Sequence, residues 1–305
     1  MTGIGVPVPE GPDTVGATEA PAESRSWRDL LKLDGTTLVG LIGLAVIVGL
    51  VLTAVFAPLL APFDPTERVA RPFLAPDGTH PLGTNDIGQD LLSELIYGTR
   101  VSLTVGIVAA TVAMIIGTTV GVLAGFYPRL IGSVLMRIVD VVLIIPFLPL
   151  LIVLAGYLGR SLPNTILIIG VLIWAGTARV IRAQVMTLAR RDFVLAARAL
   201  GASDALIIRR HLLPRVLLLG ISQFVQATSG AILLEASLSF LGLGDPLQKS
   251  WGTILYWAQV RGAFLTDAWL WWVLPPGLLI GLAALGFALM GFSLERRINP
   301  RLGAS

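Results

Sequence analysis

The sequence predicts an all-α membrane protein with six transmembrane helices, and three observations carry that prediction. Apolar residues fill 55% of the 305 positions and charged residues only 13%, about half the charge of an average soluble domain. The mean hydropathy is +0.83. Six long stretches contain no Asp, Glu, Lys or Arg; they are bounded by Asp34/Asp64, Arg100/Arg129, Asp140/Arg160, Arg160/Arg179, Arg215/Glu235 and Asp267/Glu295. Crossing the hydrocarbon takes about 20 mostly apolar helical residues, and each stretch approaches or exceeds that. Only helices and closed barrels satisfy the backbone in a bilayer, and a continuous apolar run such as Leu38–Val48 lacks the alternation of barrel strands. A soluble enzyme is excluded.

The spans fall near 38–60, 101–126, 137–158, 164–186, 214–236 and 270–293. With a cytoplasmic N-terminus, 16 of the 22 Lys and Arg residues lie inside: Arg25, Arg28 and Lys32, Arg129 and Arg137, the eight arginines from Arg179 to Arg215, and Arg296, Arg297 and Arg301. Arg68, Arg71, Arg100, Arg160, Lys249 and Arg261 lie outside. This positive-inside bias puts both termini in the cytoplasm. It also explains the pI near 9.7 without nucleic acid as a partner. Residues 1–33 read as a disordered cytoplasmic tail, since the Pro-, Gly- and Thr-rich start lacks the positive n-region of a signal peptide. Residues 34–62 form the first span, 63–100 an extracytoplasmic segment, 101–295 a five-helix core and 296–305 a cytoplasmic tail.

Within the outer segment, Leu91, Leu92, Leu95 and Ile96 share one helical face while Asp90 and Glu94 share another, which predicts a short interfacial helix leading into the second span. Five of the seven tryptophans, Trp251, Trp257, Trp269, Trp271 and Trp272, fall in the outer loop before the last span or at its start, a pattern expected of an interfacial aromatic belt touching lipid headgroups. Gly117, Gly121 and Gly125 make a small-residue face suited to close helix packing. Pro146 and Pro149 are expected to kink the third span. Asp140 follows Arg137 by about one turn, and the two are expected to pair at the inner end of that span. Glu235 lies 21 residues after Pro214, about 30 Å along a helix; this places it at the outer mouth, in a hydrogen-bonding or outer-gate role. His80 and His211 fall on opposite sides of the membrane and cannot share a metal. Cysteine is absent, which removes disulfides and thiolate chemistry.

The longest inner loop, 189–213, carries the most information. Asp192 can cap a helix whose Phe193, Ala196, Ala197 and Leu200 follow helical spacing. Gly201 suits a C′ position needing positive φ. Ser203 can cap a second helix running past Asp204 through Arg209, Arg210 and His211, and Pro214 opens the next span. The result is a helix–Gly–helix elbow with a small apolar face and an arginine-rich back.

The residues of this loop, Ala196-Ala-Arg-Ala-Leu-Gly201 followed by Arg210-His-Leu-Leu-Pro214, resemble the EAA loop of ABC-importer permeases. Four further blocks agree in order: His80–Asp90 with Leu95–Leu103, Met136–Asp140 with Ile145–Phe147, Glu235–Gly244 with Ser250–Gly252, and Asn299–Leu302. Together they resemble the dipeptide/oligopeptide/nickel permease family, C-type subunit, over about three quarters of the chain. That resemblance implies a type I importer permease without an ATPase site of its own. ATP and Mg would be held by two partner ATPase subunits or domains, which dock on the loop through Phe193–Pro214. The other partners would be a homologous second permease, an extracytoplasmic substrate-binding protein and membrane lipid. Leu195 stands where the family motif usually has glutamate. Di- and oligopeptides are the expected substrates, with nickel or glutathione as alternatives. An ion-coupled secondary transporter would need ionisable groups near mid-bilayer, and the central turns of the six stretches have none; a membrane-embedded enzyme would need a catalytic cluster that the sequence does not offer.

Overall fold

The computed structural model describes residues 35–298. The tail expected over 1–33 and the Asn299–Leu302 block lie outside the described residues. The first helix, α1 (Gly35–Val55), is followed by the single turn α2 (Ala57–Leu60) with Pro58 in its first turn. At Gly43, a Cβ would lie 2.7 Å from the Gly286 carbonyl oxygen; the glycines let α1 lie directly against the last helix.

α3 runs unbroken from Leu91 to Phe126. Its 36 residues span about 54 Å, well beyond a hydrocarbon core of about 30 Å. The expected interfacial helix and second span are therefore one rod. The amphipathic reading of its first turns is also corrected: Leu91 and Leu95 are buried, and so are Asp90 and Glu94. Protein, not solvent, covers the polar face.

The third span is not a kinked rod but two helices, α4 (Leu130–Ile144) and α5 (Phe147–Leu158), bent by 89°. Pro146 is the cause: it lacks a donor and forces the preceding residue out of helical space, and Ile145 sits at ψ 129°. Pro149 lies in the first turn of α5, where proline is tolerated. α6 (Leu162–Leu188) is capped by Ser161 and packs along α3. At Gly117, Gly121 and Gly125 a Cβ would come within 2.7–2.8 Å of atoms of Thr177, Ile181 and Val185, so those glycines serve close packing of α3 on α6.

After α6 come α7 (Asp192–Ala199), α8 (Asp204–Ile207), a π-turn over Ile208–Leu212 and α9 (Leu213–Phe240). In an α-helix, Pro214 would strip the carbonyl four residues back of its donor and collide with it. The wider turn relieves this, with Leu213 N–H donating to the Ile208 carbonyl. As a consequence the second elbow helix is continuous with the span. The same device precedes Pro275 and Pro276: after α10 (Trp251–Val260) a π-turn over Trp269–Val273 leads into α11 (Leu274–Ile298). By length and apolar character α1, α3, α6, α8–α9 and α11 with its π-turn suit membrane crossing, with the bent α4–α5 pair as a sixth.

Candidate functional site: the elbow and the opposite end

The elbow owes its shape to its caps. The N-cap of α7 is Arg191, not Asp192 as the sequence suggested; Asp192 occupies the first turn, where a carboxylate favours the helix dipole. At the other end Gly201 has φ 76°. Its N–H donates to the Arg198 carbonyl and that of Ala202 to the Ala197 carbonyl, both at 3.0 Å. This is the paired termination that requires a left-handed residue. Ser203 then accepts the Leu206 N–H at 3.4 Å and starts α8.

One side of the elbow faces the bundle. Val194 is fully buried, and Phe193 and Ala197 are half-buried against Val122, Phe126, Ile181 and Val216. The Arg215 guanidinium lies 4.0 Å from the centre of the Phe193 ring and donates to the His211 carbonyl at 2.9 Å. His211 is itself half-buried beside Phe193. Tyr127, at the end of α3, donates its hydroxyl to Asp204 at 3.1 Å. Burial, with help from that carboxylate, pushes the phenol above its ordinary range, so it stays a donor.

The opposite side is open. Leu195, Ala196, Ala199, Leu200, Ala205 and Leu206 are exposed, Leu200 to 88%, and Arg209, Arg210 and Pro214 are exposed beyond them. The sequence grouping of Phe193, Ala196, Ala197 and Leu200 on one face is corrected: Phe193 and Ala197 hold the elbow to the bundle, while Ala196 and Leu200 project. The apolar spacing is compatible with either side, and only the seat of Val194 selects one.

Asp140 does not pair with Arg137. It accepts from Arg179 on α6 at 2.7 Å, with both side chains about half exposed, and Arg137 is exposed. Glu235 is buried near the end of α9 away from the elbow, accepting from Ser239 at 2.7 Å and Ser102 at 3.3 Å. Ser102 also receives the Trp251 N–H at 3.2 Å, which ties α3, α9 and α10 together.

The same end holds a polar network invisible to sequence reasoning. Lys249 donates to Glu94 at 2.6 Å and to Gln89 at 2.8 Å, and Asn85 donates to the same Glu94 oxygen at 2.8 Å. Asp86 pairs with Arg261 at 2.7 Å, and His80 contacts the Asp90 carboxylate at 3.0 Å. The aromatic belt is corrected here too: Trp251 and Trp272 are core residues, 0% and 1% exposed, while Trp269 remains exposed. The proximity of Glu94 to Lys249 across 155 positions has no local signal in the sequence.

The chain is similar to known proteins over most of its length. Residues 117–304 match the family described as binding-protein-dependent transport system inner membrane component. Residues 39–86 match the N-terminal transmembrane domain of oligopeptide transport permease C. The chain is 36% identical to the dipeptide transport system permease of Alkalihalophilus pseudofirmus over 285 residues, covering 90% of each. It is 38% identical to the di/tripeptide transport system permease of Pseudomonas aeruginosa, covering 85% of this chain and 87% of that protein. To the glutathione transport system permease of Pectobacterium atrosepticum it is 32% identical, over 90% of each. With spanning helices packed along their length and a projecting elbow between two of them, the chain belongs to the inner membrane component family of binding-protein-dependent transport systems.

Proposed function

We propose that this chain is a permease subunit of an ATP-driven importer of di- and oligopeptides, with both termini and the 189–213 elbow in the cytoplasm. It forms half of the translocation path with a homologous second permease and receives substrate from an extracytoplasmic binding protein. Two partner ATPase subunits or domains, which hold ATP and Mg, dock on the elbow. Relatives whose names specify dipeptide, di/tripeptide and glutathione transport support a peptide substrate, glutathione being itself a small peptide.

The observation that carries the coupling role is the exposed apolar face Leu195–Ala196–Ala199–Leu200, set at a fixed angle by the left-handed Gly201. An 88% exposed leucine on a small-residue surface fits a groove on another protein. Movement of that groove reaches the membrane because α8 continues through the π-turn into α9, with Phe193 clamped beneath Arg215. Asp140 and Glu235 lie apart from this lever; we assign Asp140 to tethering α4 to α6 through Arg179 and Glu235 to closing the outer mouth.

Leu200→Asp and Ala196→Trp test this reading. Both sites are exposed, so stability should change by less than about 0.5 kcal/mol. Substrate-stimulated ATP hydrolysis and peptide uptake should fall about tenfold or more, as at an interface hot spot. Leu195→Glu, at a half-exposed position, should be tolerated. Full transport by both disruptive variants would remove the docking role.

A further inference from the structure

The outward faces of the spanning helices differ in chemistry. α1 presents Leu38, Leu41, Val48 and Leu52, and α11 presents Leu278, Leu282, Leu285 and Phe292, surfaces that acyl chains solvate well. On α9, Gln223, Gln226, Gly230 and Ser237 recur at offsets of three, seven and fourteen residues and share one face with the exposed Leu233. All four are exposed or half-exposed.

Depth makes this face informative. Arg215 and Glu235 bound the uncharged stretch of α9 and stand about 30 Å apart, the thickness of the hydrocarbon. Gln223 and Gln226 fall about 12 and 17 Å from Arg215, inside that uncharged stretch, with Gln226 level with Gly291 and Glu295 toward the inner end of α11. Gln226 donates to Glu295 at 3.2 Å, which fixes its side chain. The Gln223 carboxamide has no partner among the described residues. A Cβ at Gly230 would meet nothing within 4 Å, so the surface there is open. Lipid offers no hydrogen bonds, and an unpaired carboxamide at this depth is costly unless water or a polar ligand meets it. Ser237, by contrast, satisfies its hydroxyl on the Leu233 carbonyl at 2.7 Å.

We propose that this face of α9 lines the water-filled path, and that Gln223 and Gln226 hydrogen-bond the backbone amides of the peptide as it passes. A carboxamide carries both donors and acceptors without net charge, as does a peptide group, so the contact is independent of the peptide's side chains. Glu295 holds Gln226 in place, and Gly230 leaves room for the chain. The proposal rests on the peptide-importer reading and names the residues of this chain that touch the cargo.

The chain has no cysteine, so single substitutions report cleanly. Gln223→Cys, Gly230→Cys and Ser237→Cys would be made in the assembled transporter in vesicles, with Leu41→Cys as the lipid-facing control, and treated with a small hydrophilic thiol reagent. Uptake of alanyl-alanine is verified first in the unsubstituted transporter; its absence there would count against the importer reading rather than against this one. The three test positions should label about tenfold faster than Leu41→Cys, since acyl chains exclude the charged reagent, and saturating alanyl-alanine should slow labelling at Gln223→Cys. Gln223→Leu should raise the alanyl-alanine concentration for half-maximal uptake about fivefold, the value of one lost amide hydrogen bond. Labelling no faster than the control would mean that lipid or the second permease covers this face, and would overturn the proposal. So would fast labelling that alanyl-alanine leaves unaffected.

Discussion

At the elbow end, residues 189–213 are held by two arginine–aromatic contacts, a tyrosine–aspartate hydrogen bond and a few apolar contacts near in sequence or on adjoining helix ends. At the opposite end, residues 61–102 and 245–273 are tied by buried and partly buried polar bonds between positions more than a hundred residues apart: Lys249 to Glu94 and Gln89, Trp251 to Ser102, and Arg261 to Asp86. The elbow presents small exposed apolar side chains and the opposite end hides charged ones. Buried polar networks specify a single arrangement and fail sharply when one member is lost. A light attachment suits a surface that must follow a moving partner, and a locked one suits a platform that must stay in register.

The comparison can be broken most forcefully at Lys249. Lys249→Ala leaves the Glu94 carboxylate buried without its cation and should cost about 3 kcal/mol, seen as a lower midpoint of thermal unfolding of the purified complex. Exchanging the charges, Glu94→Lys with Lys249→Glu, should recover part of that loss. If Lys249→Ala is neutral, this end is not locked by its ion pair. Gly201→Val comes next. Nothing lies within 4 Å of the added Cβ, so only the left-handed φ is strained, at about 1–2 kcal/mol. Stability should drop modestly while substrate-stimulated ATP hydrolysis drops sharply, because α7 is re-aimed relative to α8; unchanged coupling would show that the angle is immaterial. The smallest effect is expected for Asp140→Asn. Its ion pair with Arg179 is about half exposed on both sides, and its removal should change stability by less than about 0.5 kcal/mol.

The elbow was the most legible part of the chain. Gly201 and Ser203 sit in the conformations their residue types favour, since capping is decided by neighbours one to three positions away. The spans were legible from apolar length, and the glycine face of α3 from its spacing. What misled was any inference about which side of a helix faces protein. Asp90 and Glu94 looked solvated because charge on a short amphipathic helix normally is, yet both are buried among partners reached only through the fold. Trp251 and Trp272 followed the pattern of an interfacial belt and turned out to be core. Asp140 chose Arg179 on another helix over Arg137 one turn away.

The sequence by itself determined the membrane class, the number of apolar stretches and the elbow with its turn. Each of these depends on composition or on local backbone preference, which act within a few residues. Only the tertiary structure decided that α3 is one rod, that Pro146 breaks a span by 89°, that a π-turn joins the elbow to α9, and that Phe193 and Ala197 turn inward while Leu200 turns out. Those outcomes depend on which surfaces meet. A helix can bury any apolar stripe it carries, and the stripe it does bury is settled by the neighbour that arrives.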